Sequence, residues 1–143
     1  MYKQEEINIL TAQQFKHPLS ELEQAITQGE LVQLQEAIKS MYVDDTIKEY
    51  IVSIIDATRH HPDIYLGSSP RGGLALYKTS QALAALQGRD YVIPDDIKTL
   101  AEPTLAHRLI ISPAARMKNV EADDVIAEIL NSVPVPGTPV RAG

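Results

Sequence analysis

The sequence contains no cysteine and no tryptophan. Without thiols there is no disulfide scaffold and no thiolate metal site, and a reducing compartment is compatible. Aromatic residues supply only 5% of the 143, so a core must be built from Leu, Ile, Val and Ala. That inventory favours helix-on-helix packing. No apolar run approaches the roughly 20 residues that cross a bilayer. The opening MYKQEEINIL also lacks the charged and apolar blocks of a signal peptide. Membrane insertion is therefore not expected, and a cytoplasmic location is. Basic residues number 13 against 19 acidic ones, a net charge of −6. The basic residues are scattered, whereas a nucleic-acid surface needs Lys and Arg gathered on one face, so nucleic acid is not an expected partner.

Catalytic signatures are equally scarce. There is no G-x-x-x-x-G-K-[ST] phosphate loop and no apolar strand ending in paired acids for Mg²⁺. No serine sits in an elbow motif. The four histidines form no ligand set: His60 and His61 are adjacent, and on a helix they would point about 100° apart. They read as solvated helix-end residues, with no metal expected.

What is present is a globular composition, 44% apolar and 22% charged, of single-domain length. Gln4 to Leu10 is weakly amphipathic. Residues 11–29, punctuated by Pro18 and Gly29, read as a linker in which Leu19, Leu22 and Ile26 could form a brief helix. From Glu30 the spacing of Leu31, Leu34, Ile38 and Met41 predicts a helix. Asp44 is a plausible N-cap for the next, whose stripe is Ile47, Tyr50, Ile51, Ile54, Ile55 and Thr58. Pro62 should end it near His61.

Asp63 to Ser69 then reads as a loop. Ser69 followed by Pro70 predicts an N-cap with proline at the first helical position. That helix should run to about Gln87, central and buried, with Gly88 as its stop. Gly72 and Gly73 in its first turn cost about 1 kcal/mol each in propensity, a hint that something approaches that backbone closely. Tyr91 to Ile93 is β-like and could pair with Leu109 to Ile111. Pro94 opens another helix, with Asp95 and Asp96 at its positive end. A last helix from about Ala122 buries Val125, Ile126, Ile129 and Leu130. The predicted fold is all-α: a small helical bundle with at most a minor two-stranded β element.

The segment with chemical content is Gly67-Ser68-Ser69-Pro70-Arg71. A loop, a cap and a proline place Arg71 in the first turn of a helix, beside unsatisfied backbone N–H groups that suit an anion. A guanidinium presents a rigid fork of donors to phosphate oxygens. From spacing alone, however, a surface arginine or a structural ion pair remains the favoured reading. Arg59 reads as pairing with an acid or capping its helix, Gly88 to Tyr91 as a turn-and-pairing device, and His107-Arg108 as an internal polar anchor.

The run LGSSPRGGLALYKTSQALAALQGRDYVIPDDIKTLAEPTLAHRL resembles the lid of MoxR-type AAA+ ATPases, with its LG-S-PR, GRDYV, P-D-D and HRL motifs in order. Thr58-Arg59-x-x-Pro62 before it and Val-Pro-Val-Pro after it extend the match. Tyr2 to Leu10 resembles the last helix of that family's ATPase core. The resemblance implies three parts: residues 1–29 as the end of the core and a linker, 30–133 as the helical lid, and 134–143 as a mobile tail. It implies that Ser69, Pro70 and Arg71 form the sensor-2 motif. In it, Arg71 reaches the γ-phosphate of ATP held with Mg²⁺ by the core of the same subunit. Core and ring neighbours, expected to form a hexamer, would be the partners, and an unidentified client protein the target of remodelling. The phosphate loop, Mg²⁺ ligands, sensor 1 and arginine finger would precede Met1. The chain by itself is then a fragment expected to hold no nucleotide and to hydrolyse none. A free-standing helical interaction module, with Arg71 serving an acidic partner, is the alternative.

Overall fold

The computed structural model describes residues 2–12 and 22–137. The chain divides into two compact units, Met1–Gln35 and Glu36–Gly143. The all-α expectation holds: the elements are helices plus one two-stranded sheet.

The first unit carries α1 (Tyr2–Ala12) and most of α2 (Gln28–Lys39). A reciprocal cap starts α2: Thr27 N–H donates to Glu30 Oε2 at 2.7 Å, and Glu30 N–H donates to Thr27 Oγ1 at 3.2 Å. This cap begins the helix two residues earlier than the apolar spacing indicated. The brief helix expected around Leu19 falls partly on residues outside those described, and no helix forms over residues 22–27.

The second unit is built from α3 (Asp45–His60), β1 (Ile64–Leu66), α4 (Pro70–Leu86), α5 (Pro94–Leu105), β2 (Ile110–Ile111), α6 (Pro113–Arg116) and α7 (Ala122–Ser132). A 3-10 turn, Ala106–Arg108, joins α5 to β2. Their apolar stripes meet in one core centred on Ile54, Leu76, Ile97, Leu105, Val125, Ile126 and Ile129, all 2% exposed or less. Against expectation, α4 is not buried all round. Its covered stripe is Gly72, Leu76, Ser80, Gln81 and Ala84, while Leu74 and Leu86 are 53% and 86% exposed. The helix ends in a Schellman closure, with Gly88 N–H donating to Ala85 O and Arg89 N–H to Ala84 O, each at 3.0 Å. Within the tail expected to be mobile, Val135 packs against the core, as does Val133 just before it. The residues after Gly137 lie outside those described.

Asp44 caps α3 as its position suggested, accepting from Thr46 N–H at 2.9 Å and from Thr46 Oγ1 at 2.6 Å. Those bonds, with a further one from the Tyr42 hydroxyl, hold its carboxyl below the usual carboxylate range. A carboxyl whose folded pKa is depressed stabilises the fold above its unfolded pKa, and that contribution fades as pH falls. Asp44→Asn keeps a good cap without the charge. Its melting temperature should therefore fall less steeply than that of the parent chain between about pH 5 and pH 3. Parallel curves would contradict this.

The strand pairing differs from expectation. Ile110 and Ile111 pair antiparallel with Ile64 and Leu66, a segment that read as loop. Tyr91 instead forms an isolated parallel bridge with Tyr42. The reason is that its neighbours' backbone groups are already engaged. Tyr91 O accepts from Arg89 Nη1 at 2.7 Å, Val92 N–H donates to Tyr42 O at 3.1 Å, and Ile93 N–H donates to Asp96 Oδ2 at 2.9 Å. Four of the six backbone groups of residues 91–93 are thus committed, Ile93 O also accepting Asp96 N–H at 3.1 Å, before Pro94 turns the chain into α5.

Candidate functional site

The sequence-predicted residues Ser69, Pro70 and Arg71 lie at the start of α4. Ser69 has the extended backbone of an N-cap (φ −80°, ψ 168°), but its side chain makes no capping bond. The first turn is closed through the backbone, where Gly72 N–H donates to Ser69 O at 2.8 Å. Pro70 occupies the first helical position and Arg71 the second. The Arg71 side chain is exposed and has no hydrogen bond or ion pair among the described residues. No acidic residue lies in this first turn. Of the two readings that spacing favoured, the exposed side chain fits a surface arginine, and no structural ion pair forms among the described residues, which leaves a cation at the positive end of a helix dipole.

The close approach implied by the two glycines is made by the protein itself. A Cβ at Gly72 would collide with Ser68 Oγ and lie 3.2 Å from Leu105 Cδ2. Gly67 faces backbone, for a Cβ there would sit 2.6 Å from Thr58 O and 2.7 Å from Arg59 Cα. Backbone cannot swing aside as a side chain can. Gly67→Ala should therefore destabilise the chain by about 1–3 kcal/mol, the usual cost of overpacking. Thermal melting checks this, and an unchanged midpoint would mean the loop has room.

Beside Arg71, α3 and α4 enclose a groove of about 440 Å³ whose lining is predominantly apolar. Ile51, Val52 and Ile55 come from α3, and Pro70, Leu74 and Tyr77 from α4, with Arg59 also on the wall. Among the described residues, no group of three or more His, Asp or Glu side chains could hold a metal ion.

The other candidate residues have structural partners. Arg59 neither pairs with an acid nor caps its own helix. Its Nε donates to Ser68 O at 2.9 Å, across to the loop before α4. Arg89 forks onto Asp96, Nη2 to Oδ1 at 2.6 Å and Nη1 to Oδ2 at 3.0 Å, with its guanidinium 5.9 Å from the Tyr91 ring centroid. The Gly88 to Tyr91 segment is a turn-and-pairing device, as its residues suggested. Asp96 does more than meet a dipole, since its carboxylate also accepts Ile93 N–H and its side chain is 3% exposed.

Among the histidines, His60 is exposed, 3.3 Å from Asp56 Oδ2. His61 is mostly buried rather than solvated, lying 3.3 Å from Glu128 Oε2 on α7. His107 and Arg108 are both exposed, so they form no internal anchor, although Arg108 Nε donates to Thr104 O at 2.9 Å. Sequence reading placed Thr58 in an apolar stripe and missed its polar role, although a hydroxyl in a run of isoleucines was the available signal. The Thr58 hydroxyl accepts Ser68 N–H at 2.9 Å from a fully buried position.

Residues 56–129, just over half the chain, match the AAA lid domain family. The Bacillus subtilis protein YeaC is 46% identical over 132 residues, covering 92% of this chain and 41% of YeaC. Chaperone MoxR1 of Mycobacterium tuberculosis is 30% identical over 122 residues, covering 79% of this chain and 32% of that protein. A crystal structure of a provisionally named ATPase from Cytophaga hutchinsonii superposes with a TM-score of 0.83. It is 23% identical and covers 93% of this chain and 42% of its own, so it speaks for the fold. The chain thus spans about two fifths or less of the length of these relatives. It belongs to the AAA lid domain family, as the lid of a MoxR-type AAA+ ATPase.

Proposed function

We propose that this lid reads the nucleotide state of its own ATPase through Arg71, with Ser69 and Pro70 as the rest of the sensor-2 motif. The observation that carries the reading is an exposed arginine in the first turn of α4 without an acidic partner among the described residues. A cation at the positive end of a helix is unfavourable unless an anion arrives to meet it. In this reading the γ-phosphate of ATP, bound by the ATPase core, is that anion. The groove next to Pro70 suits the flat base of the same nucleotide, because its walls are mainly apolar with Lys48, Asp56 and Arg59 among them as polar groups.

In this reading Mg²⁺ is held with the ATP by the core. What the lid's residues supply is a fixed positive charge over the transferring phosphoryl group and a cover that excludes water. Lid closure would convey ATP or ADP occupancy to neighbouring subunits in a ring, expected to be a hexamer. The ring would remodel or mature a client protein. In the intact ATPase, Arg71→Ala should keep ADP binding and slow ATP hydrolysis to a small residual rate. Undiminished hydrolysis would end this reading and leave Arg71 as a contact for some other acidic partner.

A further inference from the structure

The segment that delivers Arg71 is held from behind by the last turn of α3. Thr58 works in both directions, donating its hydroxyl to Ile55 O at 2.6 Å and accepting Ser68 N–H at 2.9 Å. Arg59, the next residue, donates Nε to Ser68 O at 2.9 Å. The N–H and C=O of Ser68 are thus both held by two consecutive residues of one helix. Gly67 removes the remaining slack by laying the loop directly on the backbone of Thr58 and Arg59. On its other side Ser68 is wedged against Gly72, within the helix that carries Arg71. Only Ser69 and Pro70 lie between this latch and Arg71, and the proline ring fixes φ at one of them.

Thr58 and Ser68 are 0% and 1% exposed. A position so buried, in a stripe otherwise made of isoleucine and tyrosine, would be filled by valine if packing were its only task. The hydroxyl must instead be hydrogen-bonded to be tolerated there, and its bond goes to the loop before the sensor arginine. Arg59 reaches the same residue from the surface side. That second bond gives the buried Ser68 carbonyl its partner and fixes the same residue from the other direction.

We infer that Thr58 and Arg59 are positioning residues: they set where the Arg71 guanidinium stands, and hence how well it meets the anion. This inference rests on the reading of Arg71 as the phosphate sensor. A misplacement of about 1 Å can cost on the order of 10²-fold in rate, so a partial loosening should be visible in turnover.

The test is ATP hydrolysis by the intact ATPase carrying Thr58→Val, Thr58→Ser or Arg59→Ala, each alone and combined with Arg71→Ala. Thr58→Val should lower kcat about tenfold while ADP affinity stays within about twofold, and Thr58→Ser should recover most of the loss. Arg59→Ala should lower kcat several-fold, and because Arg59 is exposed it is the milder change if Thr58→Val does not fold, with the melting temperature as its control. In the Arg71→Ala background none of the three should reduce the residual rate further, because they act through that side chain.

Equal losses in both backgrounds would overturn the inference, marking a general structural defect or, for Arg59, a contact of its own with nucleotide. So would a Thr58→Ser variant as slow as Thr58→Val, or single variants that hydrolyse at the parent rate. If Arg71→Ala itself left hydrolysis unchanged, the sensor reading would fail first. A normal loss in Arg71→Ala with additive effects would remove the positioning role alone.

Discussion

Arg71→Ala in the intact ATPase is expected to lower kcat by about 10²-fold, the scale on which removing one preorganised donor from a developing charge acts. ADP affinity should be nearly unchanged, because the base and the first two phosphates are held elsewhere. The argument for so large an effect lies in the site's simplicity. Arg71 has no ion pair or hydrogen bond to lose among the described residues, so truncation leaves no buried group orphaned. The fold should not register the change, and the loss in turnover can be assigned to the missing cation. Arg71→Lys keeps the charge but not the planar fork of donors and should recover only part of the rate. Steady-state hydrolysis, with the melting temperature as a control, distinguishes this from general damage.

The second large effect concerns stability. Asp96→Ala should cost about 3 kcal/mol, the lower end of the usual loss on removing one partner of a buried charge pair. The Asp96 side chain is 3% exposed and that of Arg89 19%. Truncation deprives Arg89 of both bonds of its fork and leaves Ile93 N–H without its acceptor at the start of α5. For a domain of this size the melting temperature should drop by roughly 10 °C or more. Asp96→Asn retains an acceptor for Ile93 N–H and should fall between the parent and the alanine variant. A shift of only a degree or two in Asp96→Ala would show that the pair contributes little and that α5 is held by its apolar face alone.

The fold was legible wherever a helix announces itself locally. The stripe from Ile47 to Thr58, the Ser69-Pro70 and Pro94 starts and the Gly88 stop placed α3, α4 and α5 within a residue or two. The same Ser-Pro signal recurs at Ser112-Pro113 and opens α6, which went unread because it spans only four residues. Strand pairing was not legible. Two-residue and three-residue strands carry almost no periodicity, and partner choice depends on which backbone groups are already taken, as most of those of Tyr91 to Ile93 are. Arg59 was misread for a related reason, since its acceptor is a backbone carbonyl and carbonyls have no sequence signature. His61 meets Glu128 across 67 residues, beyond the reach of any local pattern. For Arg71, position in the first turn was readable, but the absence of an acidic partner became clear only from the packed structure.

Phosphate sensing by Arg71 predicts a preference that can be measured at equilibrium, without turnover. The decisive quantity is the ratio of the ADP dissociation constant to that of a non-hydrolysable ATP analogue, in the intact ATPase with and without Arg71→Ala. If Arg71 contacts the γ-phosphate, the substitution should collapse the preference for the ATP analogue by about tenfold, the effect of losing one charge-assisted contact of about 1.4 kcal/mol. ADP binding should remain as it was. A ratio untouched by Arg71→Ala would contradict the account.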